Sequence, residues 1–579
     1  MNNINIKYLM LFAFALVGCE KGYLDRQPEA NISPETYFRT EKDLELYTNS
    51  FYDALPSAEG VYNEAVDNIV KNALSEDLTG LRQVPVSGGG WSWSQLRNIN
   101  YFLENYNKTV PEAQAAKHAA TARFFRAYFY FDKVKRFGDV PWYSKSLNTN
   151  DEEELIKPRD SRVLVVDSIM ADLNYAIEHL PTAKSDEKVT KWTALALKSR
   201  VALFEGTFRK YHKNLNLPKS NELLSEAAAA AKTLMDSKQY SLYKGNGSDG
   251  YGLLFSSVNS IPEEVILSRK FSTALQIFHN VNYYTITASY GKPGLEKDLV
   301  NTYLMKDGSR FTDKSNYATL SFLEEIQDRD PRLSQTIRTP GYKRIGGASP
   351  IAPNFGHTVT GYHVIKFVGD VKYDSFNISE NDMPIFRFAE VLLNYAEAKA
   401  ELGEITQADI DISIKLLRDR VGMPNLTLAT ANSSPDPYLK NQYKNVSGTN
   451  SGAILEIRRE RRIELVMESF RWDDLMRWKE GHLLTRQYKG MYFPSIGKFD
   501  LDGDGKEDIW IYEGDRPNQS GIQLLKLGSE ILLENGKSGN VIINGHIKKV
   551  FDENKDYLYP LPIQELQLNP NLTQNEGWK

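Results

Sequence analysis

The residues whose types and spacing could do chemistry begin with a thiol. Cys19 is the only cysteine among 579 residues and stands behind an apolar run from Tyr8 to Val17, itself preceded by Lys7. A run of that length is about half of what a membrane-crossing helix needs. Positive charge, apolar run and small residue follow the order of a secretory leader. Leu16, Val17, Gly18 and Cys19 match the bacterial lipobox, where the sulfur is acylated with a diacylglycerol before cleavage. The competing reading is an inert core thiol, because a free cysteine packs as a small hydrophobe. The leader order favours lipidation at Cys19, with 1–18 as signal peptide and a mature chain held to a membrane by acyl chains.

Carboxylates come next. In "DLDGDGKED", Asp500, Asp502 and Asp504 alternate, Gly505 permits a sharp turn and Asp508 returns to the same centre. That matches the first nine positions of a calcium loop. Position twelve is Ile511 instead of a bidentate glutamate, and "IWIY" reads as a strand, so the loop is no EF-hand. A structural Ca2+ on Asp500, Asp502, Asp504 and Asp508 and a solvated acidic turn stand as equal readings.

Aromatic side chains form two groups. "GGGWSWSQLRNINYFLENY" sets Trp91 and Trp93 behind a glycine run at a helix entry, and Phe278, Tyr283, Tyr284 and Tyr290 lie in a loop-rich stretch. Flat apolar faces with hydrogen-bonding rims suit stacking on a sugar ring or an aromatic ligand. Packing beneath the adjacent helix is the alternative, and for either tryptophan alone it is the stronger one.

Other patterns lose their chemical reading in context. "RRERR", Arg458 to Arg462, is interleaved with Glu456, Glu460, Glu464 and Glu468 at helical spacing, which favours intramolecular ion pairs over nucleic-acid contact. A net charge of −5 argues the same way. "GNGSDG", Gly245 to Gly250, has dinucleotide-loop spacing but follows no strand pattern and leads into "YGLLFSSV" instead of a helix, so it reads as a turn. The eight histidines form no H-E-x-x-H, one cysteine excludes a cysteine zinc cluster, and no G-x-S-x-G occurs. Seventy-five acidic residues leave too many carboxylate pairs to single one out for glycoside hydrolysis. The sequence gives enzymatic activity no positive support, and the chain is read as non-catalytic.

These groups need a scaffold, and the periodicity supplies one that is mainly α. Apolar residues at intervals of three and four predict helices within 121–142, ended by Gly138 and Pro141, within 161–181, stopped by Pro181, and over 190–206, 225–240, 385–402, 406–421 and 452–480. Ser161 is a fitting N-cap. Short loops between neighbours imply antiparallel hairpins, and Ala194, Ala196, Ala228 and Ala231 allow the close approach found in tetratricopeptide-like pairs. Residues 241–380, rich in Gly, Ser, Asn, Tyr and Pro, read as long loops with short strands, the texture that carries function. With no second cysteine, packing alone must hold the fold. The expected organisation is a leader (1–18), a helical part (19–240) and a second part (241–579), packed together as one continuous fold.

Motifs in order along the chain resemble the SusD/RagB family of Bacteroidetes surface lipoproteins. They are "GYLDRQPEANISPETYFRTEKDLELYTNSFYDAL", "RFFRAYFYFDKVKRFGDVPW", "RDPRL", "IFRFAEVLLNYAEAKAELG", "ERRIELVMESFRWDDLMRW" and "YPLPIQELQLNPNLTQNEGW". The resemblance implies four tetratricopeptide-like helix pairs with a loop-rich variable half. It implies an outer-membrane, outward-facing, lipid-anchored protein that binds oligosaccharides without cleaving them, and a SusC-like TonB-dependent transporter as partner. It places Trp91, Trp93, Arg97 and Asn98 near where family ligand loops arise, and Tyr283, Tyr284 and Tyr290 in the variable half. The alternative is a scaffold or peptide-binding lid of such an importer, with a helical-repeat groove as its main surface.

Overall fold

The structure is a computed structural model that describes residues 38–64, 66–245 and 247–579; Cys19 and the leader lie outside them. The periodic segments form α1 (Glu41–Asn49), α2 (Ser94–Asn105), α3 (Glu112–Phe137), α4 (Arg162–His179), α5 (Lys191–Tyr211) and α6 (Ser220–Asp236). After the loop-rich stretch come α7 (Phe388–Leu402), α8 (Ile414–Arg420), α9 (Ser451–Glu464), α10 (Arg471–Arg477) and α11 (Ile563–Leu568). Each of α2 to α7 packs on the next, and α7 packs on α9. The helix pairs include α2–α3, α4–α5 and α6–α7, while α8 and α9 both pack on α7 and are tied to each other by Arg418 Nε donating to Glu460 at 2.8 Å. Joining α6 to α7 brings the two sides of the loop-rich stretch into one stack.

Local chemistry sets the helix starts. The Ser161 hydroxyl accepts from the Leu164 N–H, and Thr190 and Thr193 cap one another reciprocally at the head of α5. Sixteen of the 21 residues of α5 are buried, so it is the central helix, covered by α4, α6, α7 and α10. A β-carbon on Gly206 would lie 2.9 Å from Leu224 Cγ, so α6 rests against bare backbone there.

Strands are short and pair across long separations. β1 (Ile69–Val70) pairs with β3 (Gly294–Leu295), and β2 (Val265–Arg269) with β4 (Met383–Arg387), both antiparallel. β5 (Tyr488–Phe493) pairs with β9 (Gly539–Ile543). The "IWIY" segment is β7 (Ile509–Tyr512), held between antiparallel β6 (Gly497–Phe499) and parallel β8 (Gln523–Lys526).

Several helices differ from the periodic reading. The 452–480 segment splits after Glu464, and Met467 and Ser469 both take φ of 63°. Lys366 Nζ donates to the Val466 carbonyl at 2.7 Å and Arg387 to the Glu464 carbonyl at 2.8 Å, taking acceptors that a continuing helix would have used. The 406–421 segment splits at Ser413, whose hydroxyl donates to the Asp409 carbonyl. The 385–402 segment begins as strand, and α7 starts only at Phe388. The Gly245–Gly250 turn does lead into a short helix, Gly250–Ser256, although no strand precedes it in residues 240–245.

The charges of α9 are inside the protein. Arg458, Arg459, Arg461 and Arg462 are all buried, and so are Glu460 and Glu464. Arg459 pairs with Glu456 one turn away at 2.7 Å, but the other partners come from elsewhere: Arg461 meets Asp474 at 2.8 Å and Arg462 meets Asp67 at 3.4 Å. Glu464 receives Arg387 at 2.7 Å and Arg420 at 2.6 Å. Burial raises the pKa of Glu464, but the guanidinium groups of Arg420, Arg387 and Arg332 outweigh it and hold the carboxyl well below its ordinary range.

Candidate functional site

The two aromatic groups lie in separate places. Trp91, Trp93 and Arg97 line a cleft of about 500 Å³ between α2, residues 141–156 and α11. Three consecutive glycines with positive φ, Gly88, Gly89 and Gly90, turn the chain into it. Arg136 Nε donates to the Gly89 carbonyl at 2.8 Å and Lys133 Nζ to that of Gly90, which fixes the turn to α3. Trp91 is buried edge-on against Phe137 at 4.9 Å, and Trp93 meets Trp91 at 5.2 Å and Tyr143 at 5.7 Å. Both indoles are therefore largely used in packing.

The rest of the cleft is mainly aliphatic, with Tyr143 as a third ring. Leu96, Leu147, Leu155, Ile156, Leu568 and Leu572 line it, with Arg97, Lys145 and Glu565 as its charged members. Asn100 fastens one wall by donating to the carbonyls of Tyr143 at 2.9 Å and Lys145 at 3.1 Å. Asn569 donates to Lys157 O at 2.8 Å and holds α11 as the facing wall. Asn98 does not line the cleft: it is exposed, and its carbonyl accepts from Tyr47 Oη at 3.5 Å. Helical phase explains this, because Leu96, Arg97 and Asn100 share a face that Asn98 leaves.

Tyr283, Tyr284 and Tyr290 gather on another surface. Tyr283 and Tyr284 sit on a short helix, Val281–Ile286, and Tyr290 follows it. The β1–β3 pairing brings Lys71 and Asn72 beside them, with Asn72 N–H donating to Gly291 O at 2.9 Å. Tyr284 stacks on Tyr290 at 4.3 Å and 13°, and the Lys71 ammonium sits 3.6 Å from the Tyr290 ring centre. With Tyr284 on one face of Tyr290, Lys71 takes the other, which leaves Tyr284 as the outer ring of a three-layer stack.

Burial pushes Lys71 down to about 8, and its ammonium donates to Asn63 Oδ1 at 2.8 Å. Burial and the Glu59 carboxylate push the Tyr284 and Tyr290 hydroxyls up, so both remain donors at neutral pH. Tyr283 meets Phe376 edge-on at 5.6 Å, and Phe376 is 61% exposed. Polar groups border the patch, among them Glu59, Thr287, Ser289 and Asn377. The sequence reading missed Phe376 and Lys71, because only tertiary pairing brings them to the tyrosines.

At the acidic loop, ligand oxygens of Asp500, Asp502 and Asp504 all lie within 4.8 Å of one another. Asp508 stands apart from that group: its Oδ2 accepts from the N–H groups of Leu501 at 2.7 Å and Asp502 at 3.2 Å. Burial, then Asp502 and Asp500, raise its pKa. Lys506 Nζ contacts Asp504 Oδ2 at 2.9 Å.

Comparison with known proteins agrees with this architecture. The model of the SusD family matches residues 268–578, and one described as "Starch-binding associating with outer membrane" matches residues 23–203. SusD-like protein P38 of Formosa agariphila is 26% identical over 491 residues, covering 82% of this chain and 91% of its own. Among solved structures, a SusD-like protein from Bacteroides fragilis superposes with a TM-score of 0.70 at 21% identity, covering 95% of this chain and 100% of its own. A SusD-like carbohydrate binding protein from the same species gives 0.68 at 21% identity, covering 93% and 100%. Because the first of these family models alone accounts for more than half of the sequence, this chain belongs to the SusD family.

Proposed function

We propose that the protein captures oligosaccharides at the outer surface of an outer membrane, does not cleave them, and delivers them to a SusC-like TonB-dependent transporter. The observation that carries this reading is the aromatic patch. A propped outer ring, Tyr284, stands beside Tyr283 and the exposed Phe376 within a polar border. Sugars present one apolar face to such rings and hydroxyls to the border, so stacking and hydrogen bonding can act together. Lipidation at Cys19 would hold the protein beside its transporter, where a high effective concentration makes modest affinity sufficient. The similarity to a carbohydrate binding protein supports the ligand class. The alternative, a scaffold or peptide-binding lid, would place its main surface in a helical-repeat groove instead of at this patch.

The test is saturable binding across an oligosaccharide panel, with Tyr284→Ala and Phe376→Ala as variants. At least one glycan should saturate the native protein, and each variant should weaken it at least tenfold, with no new reducing ends from the bound glycan. A panel that never saturates would sink the reading.

We also propose that Asp500, Asp502 and Asp504 hold a structural Ca2+, with Asp508 ordering the loop backbone. The clustered oxygens suit a hard cation, which would also relieve their mutual repulsion. In calcium-containing buffer a chelator should lower the melting temperature of the native chain and leave that of Asp502→Asn nearly unchanged. An unshifted native Tm would leave the solvated turn as the answer.

A further inference from the structure

Taking the tyrosine patch as the glycan site proposed above, we propose that Glu59 restricts its ligand to neutral sugars: the carboxylate accepts from their hydroxyls and repels chains bearing carboxylate or sulfate groups. Glu59 lies on a short helix, Ala58–Tyr62, started by the Ser57 hydroxyl accepting from the Gly60 N–H. Three residues apart, Glu59 and Tyr62 share one side of that helix, and both reach the segment that carries Tyr284. The Tyr62 and Thr285 hydroxyls are 2.5 Å apart, and Glu59 Oε1 accepts from the Asn280 N–H at 3.3 Å. Asn280 Oδ1 in turn accepts at 2.5 Å from the N–H of Asn377, the residue after Phe376. Carboxylate, amide and exposed ring therefore belong to one rim. Glu59 is half-buried and holds Asn280 through Oε1, so its Oε2 can accept from a ligand hydroxyl. The Asn280 side chain, whose oxygen is engaged, can donate through Nδ2. An acceptor and a donor on one rim suit two neighbouring hydroxyls of a single sugar.

The sign of the charge at the rim decides which glycans fit. Two lysines lie near the stack, and both are engaged elsewhere. Lys71 sits against the Tyr290 face that Tyr284 does not cover and donates to Asn63 Oδ1 at 2.8 Å. Lys292 Nζ donates to the Phe355 carbonyl at 3.4 Å and lines a separate hollow with Phe355, Val359 and His546. His279, next to Asn280, adds no positive charge at neutral pH: burial pushes its pKa down, and its Nε2 meets the Asn381 carbonyl at 2.9 Å. Glu59 is the charge that acts on the stack, since after burial its carboxylate does most to push the Tyr284 and Tyr290 hydroxyls up. A sugar hydroxyl donating to a carboxylate makes a charge-assisted bond, about twice as strong as a neutral one. A uronate or sulfate brought to the same place meets like charge instead, which suppresses its binding.

Titration of the full chain with two sets of probes tests this. One set is neutral gluco-, galacto-, manno- and xylo-oligosaccharides; the other is oligouronates and sulfated galacto-oligosaccharides. At least one neutral chain should saturate the native protein, and every acidic chain should bind at least tenfold more weakly at low salt, with the gap narrowing at high salt. Glu59→Gln keeps an acceptor for the Asn280 N–H and so preserves the rim. It should weaken the neutral chain at least fivefold and strengthen the acidic chains at least fivefold. An acidic chain that binds the native protein as tightly as the best neutral one, or a Glu59→Gln variant that leaves the gap between the two sets unchanged, would overturn the role of Glu59 while the glycan site stands. If neither set saturates, both fall.

Discussion

At the scale of single residues, Tyr284 and Glu64 show how burial decides what a side chain can do. Tyr284 is useful because Tyr290 and Lys71 prop it from behind. Removing the middle ring should therefore cost affinity without touching the ligand, and Tyr290→Ala should weaken glycan binding more than Tyr290→Phe, measured by calorimetric titration. Glu64 is buried, one of its oxygens accepts from Asn68 Nδ2 at 2.5 Å, and burial outweighs the hydrogen bonds from Asn68 and the Met467 N–H and pushes its pKa up to about 7. The folded state thus holds a proton that the unfolded state releases near its ordinary value, so this contribution to stability is full below about pH 4.5 and is lost as pH rises through about 7. Glu64→Gln should stabilise the protein by about 2–3 kcal/mol at pH 8 and by little at pH 4.5, read from denaturant curves at both values. The grouping of Tyr283, Tyr284 and Tyr290 was legible because they are close in sequence. Phe376, Lys71 and the outward turn of Asn98 were not, since they depend on strand pairing and helical phase. For Trp91 and Trp93 the sequence showed a helix entry and favoured packing for each ring, but their partners Phe137 and Tyr143 are a tertiary fact.

At the scale of elements, α9 shows both the reach and the limit of periodicity. Alternating Arg and Glu announced ion pairs, yet most partners of this helix lie on other elements, and the charges are buried. Buried pairs add little net stability over an apolar core, but breaking one strands a charge. Glu464→Ala, which deprives Arg387 and Arg420 together, should cost about 3–5 kcal/mol in a urea titration, whereas an exposed control such as Glu404→Ala should cost under about 1 kcal/mol. At the α5–α6 contact, Gly206→Ala should cost about 1–3 kcal/mol because Leu224 must move. Helix positions were readable from apolar spacing and caps. The breaks near Met467 and at Ser413 were not, because side chains from elsewhere or a local hydroxyl took helix carbonyls without any mark in the apolar pattern.

For the whole molecule, the stack of helix pairs was legible from spacing and motif order, while the strand pairs were not, since each joins segments far apart with weak signals of their own. The stack also differs from a repeat array whose units need only their neighbours. Asp67, near the start, is buried and receives Arg462 at 3.4 Å and Arg471 at 2.6 Å. A chain ending at residue 450 should therefore fail to unfold cooperatively, as judged by the loss of a sharp calorimetric transition.

That long-range clasp sets a timetable for biogenesis. A polypeptide made amino end first must keep an unmatched aspartate waiting until almost four hundred further residues have been synthesised. Until then its early helices must form without that clasp.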